Sequence, residues 1–89
     1  MTSPAGTLGT VRVRFFARYA ELAGCSEGTL TVPLPATVSD VMKHVRSAWP
    51  GASALPAQPL AALNQCHVRL DARVSDGDEL ALLPPLAGG

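Results

Sequence analysis

Val11-Arg-Val-Arg-Phe-Phe16 alternates apolar and charged side chains. That period of two marks a strand with one buried face, shared here by Val11, Val13 and Phe15. Reading outward, Ala17 to Ala23 is rich in helix formers and Gly24 can stop a short helical turn. Gly28-Thr-Leu-Thr-Val-Pro-Leu34 repeats the alternation, with Leu30, Val32 and Leu34 on one side. Pro33 donates no hydrogen bond and so suits a sheet edge or a strand end. The two strands are expected to form a hairpin with a long, partly helical connection.

The period then changes. Val38, Val41, Met42, Val45, Ala48 and Trp49 fall on one stripe of a helix of about three turns, with Asp40, Lys43, His44 and Arg46 outside it. Thr37 is a good N-cap and Asp40 suits the first turn. Trp49 reads as a core anchor, and Pro50-Gly51 ends the helix. Residues 51–59 read as a loop, Leu60-Ala-Ala-Leu63 as a short buried strand and Asn64-Gln65 as a turn. Cys66 to Leu70 is a candidate short strand, and Asp71 to Val74 leads to the turn Ser75-Asp-Gly-Asp78. Glu79-Leu-Ala-Leu-Leu83 is the last strand. The expected class is α+β: a mixed sheet of four to five strands with one main helix on one face.

Residues 1–10 have neither a basic start nor an apolar segment, so they read as a disordered lead-in, not a secretory signal. Residues 11–83 make up the domain and 84–89 an extended, flexible tail. Net charge is zero, which argues against nucleic acid as a partner. No apolar run approaches the length of a membrane span, so a cytoplasmic, membrane-free protein is expected. Hydrophobic residues are 47% of the chain and charged residues 16%. Either a partner covers part of the surface, or alanine inflates the apolar count harmlessly.

Catalytic constellations are hard to find. Cys25 and Cys66 lack the spacing of a metal or redox motif and read as ordinary small apolar residues. His67 follows Cys66, but neighbours along a strand face opposite ways. The acidic Ser75–Asp78 turn lacks the ligand series of a calcium loop. No metal site is expected, and no Ser/His/Asp set or phosphate-cradling loop emerges.

The tail is Pro84-Pro85-Leu86-Ala87-Gly88-Gly89. Its prolines extend the backbone, its glycines remove side chains, and it reaches about 20 Å at roughly 3.1–3.5 Å per residue. The tip suits a passage too narrow for side chains, and no Cβ crowds the Gly89 carbonyl. Adenylation would make that carboxylate an electrophile, and a sulfur nucleophile could then displace AMP. Glycine-rich ends are also often idle.

Several motifs in order bear on the choice: Val-Arg-Phe-Phe-Ala-Arg-Tyr-Ala-Glu-Leu-Ala-Gly over 13–24, the Thr37 helix, Ala62-Leu-Asn-Gln65, Asp76-Gly-Asp-Glu-Leu80, Pro84-Pro85 and Gly88-Gly89. Over residues 11–89 the chain resembles the ubiquitin-like, β-grasp sulfur carriers of the MoaD type, small subunits of molybdopterin synthase. The resemblance implies that an E1-like adenylyltransferase spends ATP on Gly89 and that a sulfurtransferase system converts it to a thiocarboxylate. It implies that the tail enters a large subunit, in a heterotetramer, and gives sulfur to cyclic pyranopterin monophosphate. The catalytic side chains would be the large subunit's, so this chain would be a sulfur-donating, non-catalytic subunit with no bound cofactor. Gly88, Ala87, Leu86, Pro85 and Pro84 would line the tail's path. Phe16 and Leu83 are the candidate docking residues, unless they pack inside the domain.

The chain departs from the pattern at Leu82 and Leu83, where many relatives carry an aromatic residue, in its lead-in, and in the Pro-rich 51–59 loop. Alternatives are a carrier for thiamine, tRNA thiolation or an amino acid, a protein modifier acting through Gly89, and an adaptor with idle glycines.

Overall fold

The computed structural model describes residues 7–85. Strand β1 (Leu8–Phe15) leads through α1 (Arg18–Ala23) to β2 (Glu27–Pro33), then β3 (Ala36–Thr37) and α2 (Val38–Ala48). A 3-10 turn (Pro50–Ala54) precedes β4 (Leu60–Leu63), β5 (Cys66–Val68), β6 (Arg73–Val74) and β7 (Glu79–Leu83). The main sheet has the order β2-β1-β7-β4-β5, and β3 and β6 form a small second ladder. β1 and β2 pair antiparallel, from Leu8↔Pro33 to Arg14↔Glu27. β1 and β7 pair parallel, ending at Phe15↔Leu82. The mixed sheet on one main helix is the β-grasp arrangement that the resemblance implied.

Strand parity builds the core. Val11, Val13 and Phe15 of β1 meet Leu80 and Leu82 of β7, beneath Val38, Val41, Met42 and Val45 of α2. No polar or charged residue is buried among the described residues, so apolar burial is the main stabilising term. Trp49 closes one end edge-on to Phe15, with ring centroids 5.2 Å apart at 81°. Gly28 makes room for it, since a Cβ there would lie 2.2 Å from Trp49 Cζ2.

The start of α2 carries the expected cap in full. The Thr37 hydroxyl accepts from the Asp40 N–H at 3.2 Å, and Asp40 Oδ2 accepts from the Thr37 N–H at 2.9 Å, a reciprocal capping box. The Thr37 backbone N–H first, and then its hydroxyl, hold the Asp40 carboxyl below its ordinary range. A group whose pKa is depressed by folding adds stability above its unfolded value, and loses it as pH falls through the folded one. Asp40→Asn should therefore be less stable than the native chain at pH 7. The two melting temperatures should converge as pH falls below the ordinary carboxylate range and the native carboxyl takes up its proton. Parallel curves across that range would show that Asp40 does not act through its charge.

Several expectations need correcting. The lead-in does not extend to residue 10: Leu8, Gly9 and Thr10 belong to β1, paired with Pro33, Val32 and Thr31. Backbone pairing does not need an alternating pattern, and the Thr10 N–H is also tied to Asp76 Oδ1 at 2.7 Å. Residues 1–6 lie outside the described residues. The 51–59 segment is not plain loop, because the 3-10 turn buries Ala52 and Leu55 beside the core. Ala48 lies on the apolar stripe yet is exposed, since the helix ends before its last turn is covered. Cys25 packs against the core as expected, whereas Cys66 is exposed on β5 at the sheet edge. No helix among the described residues is long and apolar enough to cross a membrane.

Candidate functional site

β7 lies at the centre of the sheet, held by β1 on one side and β4 on the other. The tail therefore leaves from the most firmly paired strand, and its root cannot fray with an edge. Past Leu83 the chain turns to proline, which cannot extend the ladder as a donor. Pro84 is half-buried and Pro85 exposed. Leu86, Ala87, Gly88 and Gly89 lie outside the described residues.

Helix α2 covers one face of the sheet, and the same parity that fills the core assigns residues to the opposite face. Leu82 is fully buried on the helix side, so Leu83 and Ala81 project the other way. Leu83 stands opposite Leu60 and Ala81 opposite Ala62, while Ala62 also faces His67 of β5. Leu60 is 48% exposed. Phe16 follows the inward Phe15 and turns to the open face, its N–H donating to the Leu82 carbonyl at 3.3 Å. Phe16 and Leu83 are both half-buried, so they are neither core residues nor free side chains. Sequence reasoning named those two and missed the exposed Leu60, together with the buried pair Ala62 and Ala81 beside it. The alternation of Leu60-Ala-Ala-Leu63 against the last strand is the signal that could have found them, once the pairing is known.

Charge frames this apolar strip. The Arg14 guanidinium sits 5.0 Å from the Phe16 ring centroid, a cation–π contact that orients the ring. Arg12 and Arg14 both flank Glu79, at 3.8 and 3.9 Å. These are exposed pairs that order side chains more than they stabilise the fold.

The turn after Phe16 is unusual. Ala17 has φ 51° and ψ −127°, angles of the first central position of a type II′ turn, which glycine usually fills. The Tyr19 N–H donates to the Phe16 carbonyl at 3.0 Å and closes it. This sharp reversal sends Phe16 to the open face and the next residues toward the tail root. There Tyr19 and Leu22 of α1, with Ala54 and Pro56 beyond α2, wall a groove of about 540 Å3, floored by Pro84 and Pro85. Arg18 stands at its rim.

Among the described residues no group of three or more His, Cys, Asp or Glu is placed to hold a metal. The chemistry these residues can do is docking and presentation: an apolar strip, a rigid tail root and a path leading from them.

The sequence profile of the ThiS family matches residues 13–89. The molybdopterin synthase sulfur carrier subunit of Chlamydomonas reinhardtii is 35% identical over 81 residues, spanning 89% of this chain and 98% of that one. Among solved structures, SAMP1 of Haloferax volcanii, small archaeal modifier protein 1, superposes with a TM-score of 0.81 at 30% identity, over 91% of this chain and 100% of that one. A complex of subunits 1 and 2 of the molybdopterin-converting factor from Helicobacter pylori contains a chain of the same fold, with a TM-score of 0.62 at 23% identity over 90% and 99%. With a profile match running from the first core strand through Gly89, and a curated relative matched over nearly its whole length, the chain belongs to the ThiS family of ubiquitin-like sulfur carriers.

Proposed function

We propose that this chain is the sulfur carrier subunit of a molybdopterin synthase, with Gly89 as its reacting residue. The observation that carries the reading is the match to sulfur carrier subunits over most of the chain, beside a family match that runs through the tail and not only through the fold. In this reading a carboxylate oxygen of Gly89 attacks the α-phosphorus of ATP and pyrophosphate leaves. A persulfide of the sulfurtransferase then adds through its terminal sulfur to the acyl carbon and AMP leaves. A second thiol reduces the resulting acyl disulfide, releasing the thiocarboxylate and forming a disulfide with the sulfurtransferase cysteine. ATP belongs to an E1-like activating enzyme and the sulfur to a sulfurtransferase, so the carrier itself needs no bound cofactor. A large subunit covers the open sheet face at Phe16 and Leu83 and takes the tail into its active site. The Helicobacter pylori complex of two such subunits supports that pairing.

The test is an intact-mass measurement after incubation with the activating enzyme, ATP and a sulfur donor. The expected product is heavier by one sulfur less one oxygen, with the change confined to the fragment ending at Gly89. An unchanged mass with a competent enzyme and donor would reject the reading. A second reading, protein modification through Gly89, draws on the SAMP1 likeness. It predicts isopeptide links from Gly89 to lysines of other proteins, and the chain's one lysine, Lys43, leaves little scope for chains of itself.

A further inference from the structure

We propose that the groove at the tail root is a second docking element for the same large subunit, reading an aromatic side chain flanked by a carboxylate. The inference rests on the proposed pairing with a large subunit and adds a recognition residue, Arg18, to it. Its floor is Pro84-Pro85 and its walls are Tyr19, Leu22, Ala54 and Pro56. Proline pairs in an extended backbone are recognised by aromatic rings, because their shape is preset and little entropy is lost on contact. Leu22 is 37% exposed beside them, an apolar wall left partly open to solvent. Among the described residues, the only formal charge lining the groove is Arg18, which is exposed and makes no ion pair with the others. An apolar floor with one cationic rim fits an acidic residue beside an aromatic one.

Two observations make this a built surface. A Cβ on Gly51 would lie 1.8 Å from the Leu22 carbonyl oxygen, so glycine lets the 3-10 turn press directly on α1. Arg46 Nη2 donates to the Pro56 carbonyl at 2.6 Å, tying the far wall to α2. Both walls are thus held before any partner arrives, which lowers the ordering cost of binding.

Continuity selects the occupant. Leu83 lies on the open face and Pro84 in the groove, one residue apart. Phe16 lies on the open face and Arg18 at the groove rim, joined through the Ala17 turn. A protein that covers the open face and encloses the tail must pass over this groove at the mouth of its own channel.

The experiment titrates the intact carrier into the purified large subunit by calorimetry, with Arg18→Gln and Arg18→Glu as variants. Arg73→Glu is the control, since it makes the same charge change near the start of α2, about 16 Å of helix from its other end. Expected results are a Kd weakened about threefold by Arg18→Gln and about tenfold by Arg18→Glu. Arg73→Glu should stay within twofold, and all three variants should keep the native melting temperature. The loss with Arg18→Glu should shrink in high salt. Native binding with both Arg18 variants within twofold would overturn the inference while leaving the proposed pairing standing. No binding by the native chain would reject the pairing itself. Tighter binding by Arg18→Glu would mean that the groove holds this chain's own tail. A self-association abolished by Arg18→Glu would assign the groove to a second copy. Either of these last outcomes also overturns the inference.

Discussion

Deleting Gly89 should abolish sulfur transfer and leave the fold untouched. Among the described residues the buried core ends at Leu82, and a glycine at the last position has no side chain to bury. The melting temperature should therefore stay within about 2 °C of the native value, as for surface changes outside such features. The chemistry has no comparable tolerance. One residue is about 3.5 Å of reach, and a misplacement of about 1 Å at a reacting centre can cost around 100-fold. Removing a residue shifts the carboxylate by several times that distance, and transfer should fall by at least about 1,000-fold. Adding one glycine after Gly89 should fail similarly, because the tip would then overshoot while the tail root stays fixed by β7. The measurement is product formation by the assembled synthase, beside thermal melts of each variant. Appreciable transfer by the shortened chain would show that the active site tolerates length, and would remove Gly89 from its assigned role.

The elements of this fold were largely legible because each carries a local signal. Alternation marked β1 and β2, an apolar run after the Ser75–Asp78 turn marked β7, the change to helical period marked α2, and Thr37 with Asp40 marked where it starts. Asn64 and Gln65 both have positive φ, at 51° and 72°, as a tight hairpin turn requires. What was hidden depends on neighbours far away in sequence. Nothing local says that β7 runs parallel to β1, and that pairing decides which of Leu82 and Leu83 faces the helix. The two-residue strands β3 and β6 are too short to show a period. Gly51 reads as a helix breaker, yet its contact with the Leu22 carbonyl also joins two parts of the chain. Of the candidate site, the tail and Phe16 could be read directly. The groove could not, because its walls come from α1, the segment after α2 and the tail root.

Leu82 and Leu83 are chemically identical neighbours, and their alanine variants should separate folding from docking. Leu82 is fully buried on the central strand, within the core cluster that includes Phe15, Val13 and Val45. Truncating such a leucine loses transfer energy and leaves a cavity, typically about 2–5 kcal/mol. The packing here has little room to relax, because β7 is paired on both sides, so about 3–4 kcal/mol is expected. For a domain of this size that is a drop of roughly 15–20 °C in melting temperature, and a large fraction of a total stability on the order of 5–13 kcal/mol. Leu83 is half-buried opposite the exposed Leu60. Its truncation should cost only about 0.5–1 kcal/mol of stability, the scale of one cross-strand pair. Binding should respond in the opposite order. Leu83→Ala should weaken the large-subunit complex by about ten- to thirtyfold, as loss of a central apolar anchor does. Leu82→Ala, assayed well below its melting temperature, should bind within about threefold of native. Denaturation and calorimetry on both variants decide the matter. Equal losses of stability would mean that Leu83 is core, and equal losses of affinity would mean that the open face is not where the partner sits.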